Sequence, residues 1–280
     1  MIYVISDKEL SVSINTFGAE VISAIYKGVE RVWQNQNGKW AGHSPVLFPV
    51  CGNSAVVIGG KDYKMPFHGL AKRNEFSVVA ASDKSITLLF AHNAKTLEVY
   101  PFVFEFFVTY SVENNELKVE YLVKNAGEKE IPFAVGRHDS FNLAAPVENH
   151  RLRFEREEVF LSHRHDDKGK LINHYDDLGE GIIFDLPDNQ LIGGHTIIFD
   201  CIKSRKITLE DTGGNSVAEV SVSDTHNLLL WRPDDCAMIC LELWSALPDG
   251  EEQIDIDKNE KYFRLEKGGS KKIDYKIRYF

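Results

Sequence analysis

Glu242 interrupts Ala237-Met238-Ile239-Cys240-Leu241-Glu242-Leu243-Trp244, a run otherwise apolar and too rich in large side chains to be a loop. A carboxylate there needs a reason. Strand alternation puts it on the face shared with Met238, Cys240 and Trp244, where partial desolvation raises its proton affinity and suits it to act as a general base near neutral pH. The plainer alternative is a structural carboxylate neutralised by a core arginine or a backbone amine, and position in the sequence leaves both open. Two histidines follow apolar strands and precede turn or polar residues: His68 in Met65-Pro66-Phe67-His68-Gly69 and His138 in Val135-Gly136-Arg137-His138-Asp139. Imidazole changes charge nearest physiological pH, so each can serve as a general acid or a hydroxyl-binding donor, or simply as a satisfied structural histidine.

Trp40, Trp231 and Trp244 are candidates to stack on the apolar face of a sugar ring, although burial in a β core explains any one of them better. The cluster His163-Arg164-His165-Asp166-Asp167 invites a metal reading, because histidines two apart on a strand share a face. Lys168-Gly169-Lys170 supplies no third ligand, and a solvated loop fits better. Cys51, Cys201, Cys236 and Cys240 read as buried reduced thiols, since the last two are spaced poorly for zinc. No phosphate-binding glycine loop, G-x-S-x-G elbow or H-E-x-x-H motif is present, so those reaction classes lose support.

The elements that must position these residues are strands. Leu117, Val119, Tyr121 and Val123 alternate with polar neighbours, and the same period of two recurs over 103–112, 207–210, 217–222 and 273–279, separated by turns such as Glu113-Asn114-Asn115 and Thr212-Gly213-Gly214-Asn215. Many short strands between turns predict an all-β sandwich or barrel. One short helix is expected over Ala94–Val99, stopped by Pro101, and the polar stretch from His163 to Gly181 reads as a long surface loop.

The chain of 280 residues is expected to form a single domain, 1–280, because β sandwiches often exceed the usual domain length. A net charge of −10 repels phosphate backbones and anionic lipid, which argues against nucleic acid or membrane as partner. The opening residues Met1 to Lys8 lack a basic start with a long apolar run, so a cytoplasmic location is expected.

Six blocks, in order, resemble the aldose 1-epimerase (galactose mutarotase) family and its LacX-like branch: 40–49 around Trp40-Ala41-Gly42-His43, 65–72 around His68, 100–104, 132–142 around His138, 198–209, and Cys240-Leu241-Glu242-Leu243-Trp244. The resemblance implies a twisted antiparallel β supersandwich whose cleft holds an aldose. It implies mutarotation without metal or organic cofactor, with Glu242 as base at the C1 hydroxyl, His138 as acid at the ring oxygen, and His68 binding a sugar hydroxyl. Lys72, Arg73 and Trp231 are further candidate substrate contacts. Where many relatives carry an arginine that reaches the sugar, this chain has Asn53, which cannot hold an anionic substituent as a guanidinium does. Asp139 follows His138 where proline is common. Two other functions remain in view: a carbohydrate-binding module without turnover, suggested by Asn53 and Asp139, and a hexose-phosphate epimerase, for which Lys72, Arg73 and Arg137 would supply charge. The expected partner is a small-molecule sugar, and the chain is expected to be a monomer or homodimer.

Overall fold

The computed structural model describes residues 1–52, 56–250 and 252–280. Its strands arise where alternation can bury one face. In the antiparallel pair Phe104–Glu113 and Glu116–Asn125, Phe104, Phe106, Val108, Tyr110 and Val112 lie opposite Asn125, Val123, Tyr121, Val119 and Leu117, and all of these are buried. The turn between them is made by Asn114 and Asn115, both left-handed at φ 53° and 64°, a conformation that matches the twist of a hairpin and that asparagine tolerates. This ladder carries on through Ser85–Ala91 on one side and Ser270–Tyr279 on the other.

Among the described residues a 15-stranded sheet runs from Val46–Leu47 through Gly136–Arg137, Met238–Trp244, Asn227–Trp231, Ile197–Phe199 and His150–His165, then through Lys206–Asp211 and Ser216–Val222 to the ladder just described. A four-stranded sheet built from the first 30 residues packs on it, and the Tyr110 hydroxyl donates to the Ala19 carbonyl at 2.6 Å across that boundary. The pairings within each ladder are antiparallel, so the expected all-β sandwich class is the observed one. The helix Ala94–Val99 stands where the sequence places it. The Asn93 side chain caps it, accepting from the backbone N–H groups of Lys95 and Thr96 at 2.9 and 3.1 Å. No helix of the described residues is long and apolar enough to cross a membrane.

Two expectations are corrected. The stretch 163–181 is not a surface loop: it is the end of one long strand, His150–His165, a tight turn, and most of a second, Leu171–Asp185, paired with the first. Most of Leu171–Asp185 is exposed and three register shifts interrupt the pairing, so neither an apolar face nor an unbroken period of two marks it in the sequence. Asp166 closes the turn, accepting from the N–H groups of Lys168 and Lys170, each at 2.9 Å. Cys201 is exposed rather than buried, unlike Cys51, Cys236 and Cys240, and all four are free thiols.

Candidate active site

Met238–Trp244 lies at the middle of the candidate site because it pairs on both sides. Gly136 lies opposite Trp244, and Asp139 lies opposite Leu241. The same register sets His138 against Glu242, and directly opposed residues on neighbouring strands bring their side chains within reach. His138 Nε2 is 3.2 Å from Glu242 Oε1. Both residues are buried, at 7% and 3% exposure. A core arginine does exist nearby, as one alternative for Glu242 requires, but Arg137 bonds to Asp139 and not to Glu242.

Burial pushes the Glu242 carboxyl well above the ordinary carboxylate range, with the nearby Lys72 charge opposing the rise. Burial, aided by Lys72, lowers His138 to about 3. Between the lowered His138 value and the raised Glu242 value the pair holds one proton between its two groups. Carboxylic acid with neutral imidazole, and carboxylate with imidazolium, carry the same net charge and differ by one proton transfer between adjacent atoms.

His68 comes from a different strand connection and reaches the same place by an unusual backbone. His68 and Gly69 are both left-handed, at φ 64° and 76°. A Cβ on Gly69 would lie 2.3 Å from the Phe48 carbonyl oxygen, so only glycine fits this turn. The Gly52 N–H donates to His68 Nδ1 at 3.1 Å, which fixes the tautomer with its proton on Nε2. Burial, with the nearby His138, Lys72 and Arg73, holds His68 well below the ordinary histidine range, so it is a neutral donor.

Aromatic rings enclose this centre. The His138 ring stacks on Trp40 with centroids 5.1 Å apart, and Trp231 and His68 stand edge-on to it at 5.7 and 5.6 Å. Trp40 is held in place because its carbonyl accepts from the Trp33 indole N–H at 2.9 Å. The Trp231 indole N–H in turn donates to the Gly194 carbonyl at 3.0 Å. Trp40 and Trp231 are only half-buried and line the cavity, as does the buried Trp244. Core burial, the better explanation from sequence, thus accounts for Trp244 but not for the other two.

The cavity has a volume of about 670 Å³. His68, His138, Glu242, Lys72 and Trp231 all line it. Arg73 does not: it is exposed and acts on the site only through its charge. Arg137 also leaves the candidate set for charge in the cleft, since it is wholly buried in the core behind it. Asn53 lies outside the described residues. Lys72 has no hydrogen bond or ion pair among the described residues, so its ammonium is available to a ligand. Two walls were not foreseen: the hairpin turn Asp166–Gly169 and the segment Gly193–Thr196. They are tied together where the Thr196 N–H donates to His165 Nε2 at 3.3 Å. Their polar, glycine-rich sequences carry no signal that separates a cleft wall from any surface turn. His163, considered earlier for metal, instead stacks on Tyr175 at 4.3 Å.

A broad cleft in twisted antiparallel sheets, lined by tryptophan and histidine around a carboxylate, defines a protein of the galactose mutarotase-like fold. The family model described as aldose 1-epimerase matches residues 1–252, and the chain belongs to that family. It is 29% identical over 277 aligned residues to the chromosomal protein LacX of Lactococcus lactis subsp. lactis, with 90% of each chain covered. Among solved structures it resembles a galactose mutarotase-like protein from Lactobacillus casei at a TM-score of 0.93 and 27% identity, with all of both chains covered. A galactose mutarotase related enzyme from Lactobacillus acidophilus matches at 0.88 and 26%, covering 100% of this chain and 97% of that one. Family membership makes the coarse function that of a sugar epimerase of the mutarotase kind.

Proposed function

We propose that this chain is a cofactor-independent aldose 1-epimerase that interconverts the α and β anomers of an unphosphorylated aldose. The observation that carries the reading is the 3.2 Å approach of His138 Nε2 to Glu242 Oε1 on the floor of an aromatic cleft. A cyclic aldose bears its C1 hydroxyl and its ring oxygen on one carbon, so an acid and a base that serve both must themselves be close neighbours. In the ring-opening step the Glu242 carboxylate takes the proton of the C1 hydroxyl while the His138 imidazolium protonates the ring oxygen. The electrons of the O–H bond form the carbonyl, and the bond from C1 to the ring oxygen breaks. The C1–C2 bond then rotates. In closure the new hydroxyl attacks the other face of the carbonyl, and the two groups return to their starting protonation with their roles exchanged.

His68 Nε2–H, Lys72 and the rings of Trp40 and Trp231 are assigned to holding the sugar. Neutral hydroxyls suit a cleft whose two lysines, Lys72 and Lys168, are balanced by the carboxylates of Asp166, Asp167 and Glu242 in the same lining, while Arg137 faces the core and Arg73 the solvent. A free sugar is therefore favoured over a hexose phosphate: glucose 6-phosphate is expected neither to be turned over nor to compete with glucose in an NMR assay of anomeric exchange. Competition with a Ki below the KM for glucose would assign the site to phosphorylated sugars instead. Removing the Trp231 ring, in Trp231→Ala, is expected to raise KM by about 3- to 10-fold, in keeping with about 0.5–1.5 kcal/mol for an aromatic stacking contact. Its kcat should change little, and steady-state kinetics separates the two.

The pH dependence follows from the single shared proton. In water a glutamic acid at 4.5 and a histidine at 6.5 would hold one proton between them only in that narrow interval. Burial widens it at both ends. On the acid side activity is lost only as pH falls through the lowered His138 value near 3, when the pair gains a second proton. On the alkaline side it is lost as pH rises through the raised Glu242 value and the last proton leaves. The profile of kcat/KM, corrected for spontaneous mutarotation, is expected to be flat through pH 6.5. An acid limb centred there would contradict this assignment.

A further inference from the structure

The residues on either side of His138 form a fully buried ion pair that the chemistry itself does not use. Regular pairing to Met238–Trp244 lapses at His138, between Gly136–Arg137 and Asp139–Asn142, and its N–H donates instead to the Pro45 carbonyl at 3.2 Å. While His138 faces the cleft, Arg137 and Asp139 point to the other side of the chain, both at 1% exposure or less. Arg137 Nε donates to both Asp139 carboxylate oxygens, at 2.9 and 3.0 Å, and its Nη2 donates to Oδ1 at 2.5 Å. Its Nη1 donates to the hydroxyls of Tyr110 and Tyr121, both at 3.2 Å, and the Tyr275 hydroxyl donates to Asp139 Oδ2 at 2.8 Å. Those tyrosines come from three successive strands of the sheet, Phe104–Glu113, Glu116–Asn125 and Ser270–Tyr279.

Stability alone is a weak reason for such a pair. Taking two charges out of water is costly, and well-packed apolar residues of similar volume are often as stable or more so. What the forked, directional contact supplies beyond an apolar filling is position. We propose that Arg137 and Asp139 are positioning residues: by anchoring the backbone on both sides of His138 to three strands, they hold its Nε2 against Glu242 and the stacked Trp40 ring. The proposal rests on the acid–base reading of His138. It also gives a physical reason for Asp139 where relatives commonly have proline.

Exchanging only one partner would leave a buried charge uncompensated, so the test replaces both, in Arg137→Met/Asp139→Leu. The double variant is expected to melt near the wild type yet lose about 10- to 100-fold in kcat, the scale of a displacement of about an ångström, with KM within about 3-fold. A nitrogen-15 NMR titration of His138, which faces Glu242, Lys72 and His68, is expected to move up from about 3 toward the ordinary 6.5 as the ring loosens. Tyr275→Phe, which removes one hydroxyl and no charge, should lower kcat severalfold at unchanged KM. A folded double variant with wild-type kcat and wild-type His138 titration overturns the proposal. If the double variant does not fold, unchanged kcat and titration in both Tyr275→Phe and Tyr121→Phe overturn it. Should the wild type not accelerate mutarotation at all, the proposed function fails, and the His138 titration in these variants still decides the positioning role.

Discussion

Glu242→Gln is expected to lower kcat for mutarotation by about 10²- to 10⁴-fold, the usual contribution of one positioned acid–base group. The substitution is nearly isosteric and keeps a polar group beside His138, so the protein should remain folded. Indeed, burial raises the Glu242 proton affinity, and that cost of holding a carboxylate in the cleft disappears in the amide. A thermal midpoint equal to or above that of the wild type, together with the kinetic loss, would separate a chemical role from a structural one. A variant that kept full activity would return Glu242 to the status of a structural carboxylate. KM should move little, because the carboxylate gains most of its advantage only as the proton begins to transfer.

His138→Asn is expected to cause a loss of similar size, about 10²- to 10⁴-fold in kcat. Its side effects differ. The imidazole ring packs against Trp40, Trp231 and His68, so the smaller amide leaves space in the aromatic wall and KM should rise modestly as well. Because the two groups work as one proton-exchanging unit, the Glu242→Gln/His138→Asn double variant should be little worse than the poorer single one. Losses that multiplied would mean that the two act independently, contrary to the shared-proton account. Steady-state rates for the three variants, measured at one pH within the flat region, decide between these outcomes.

How far the molecule could be read from its sequence depended on whether a face was buried. Strands such as Phe104–Glu113 and Glu116–Asn125, which bury one side, wrote their period of two plainly into the residue order, and their boundaries differed from expectation by a residue or so. Leu171–Asp185, exposed along most of its length, wrote nothing of the kind and passed for a loop. The same logic governed the site. Glu242 stood out because it violates an apolar strand, and His138 and His68 because they end apolar runs.

Other features were beyond reach. That His138 and Glu242 face each other depends on a register between segments about a hundred residues apart, which no local pattern specifies. Whether a cation points at the cleft or the core is equally hidden: Lys72, Arg73 and Arg137 read alike, but one lines the cavity, one faces solvent and one is locked to Asp139. Asp139 was legible only as an oddity. Its reason lies in Tyr275, 136 positions away in the chain, and in the strand geometry that joins them.

The most direct test is polarimetry of freshly dissolved α-glucose and α-galactose, with wild-type protein and Glu242→Gln side by side at neutral pH. The account predicts that wild type speeds the approach to the equilibrium rotation of at least one of these sugars and that the variant does so barely above the spontaneous rate. Spontaneous rates with both proteins, for these and other unphosphorylated aldoses, would contradict it and leave the cleft as a place that binds sugar without turning it over.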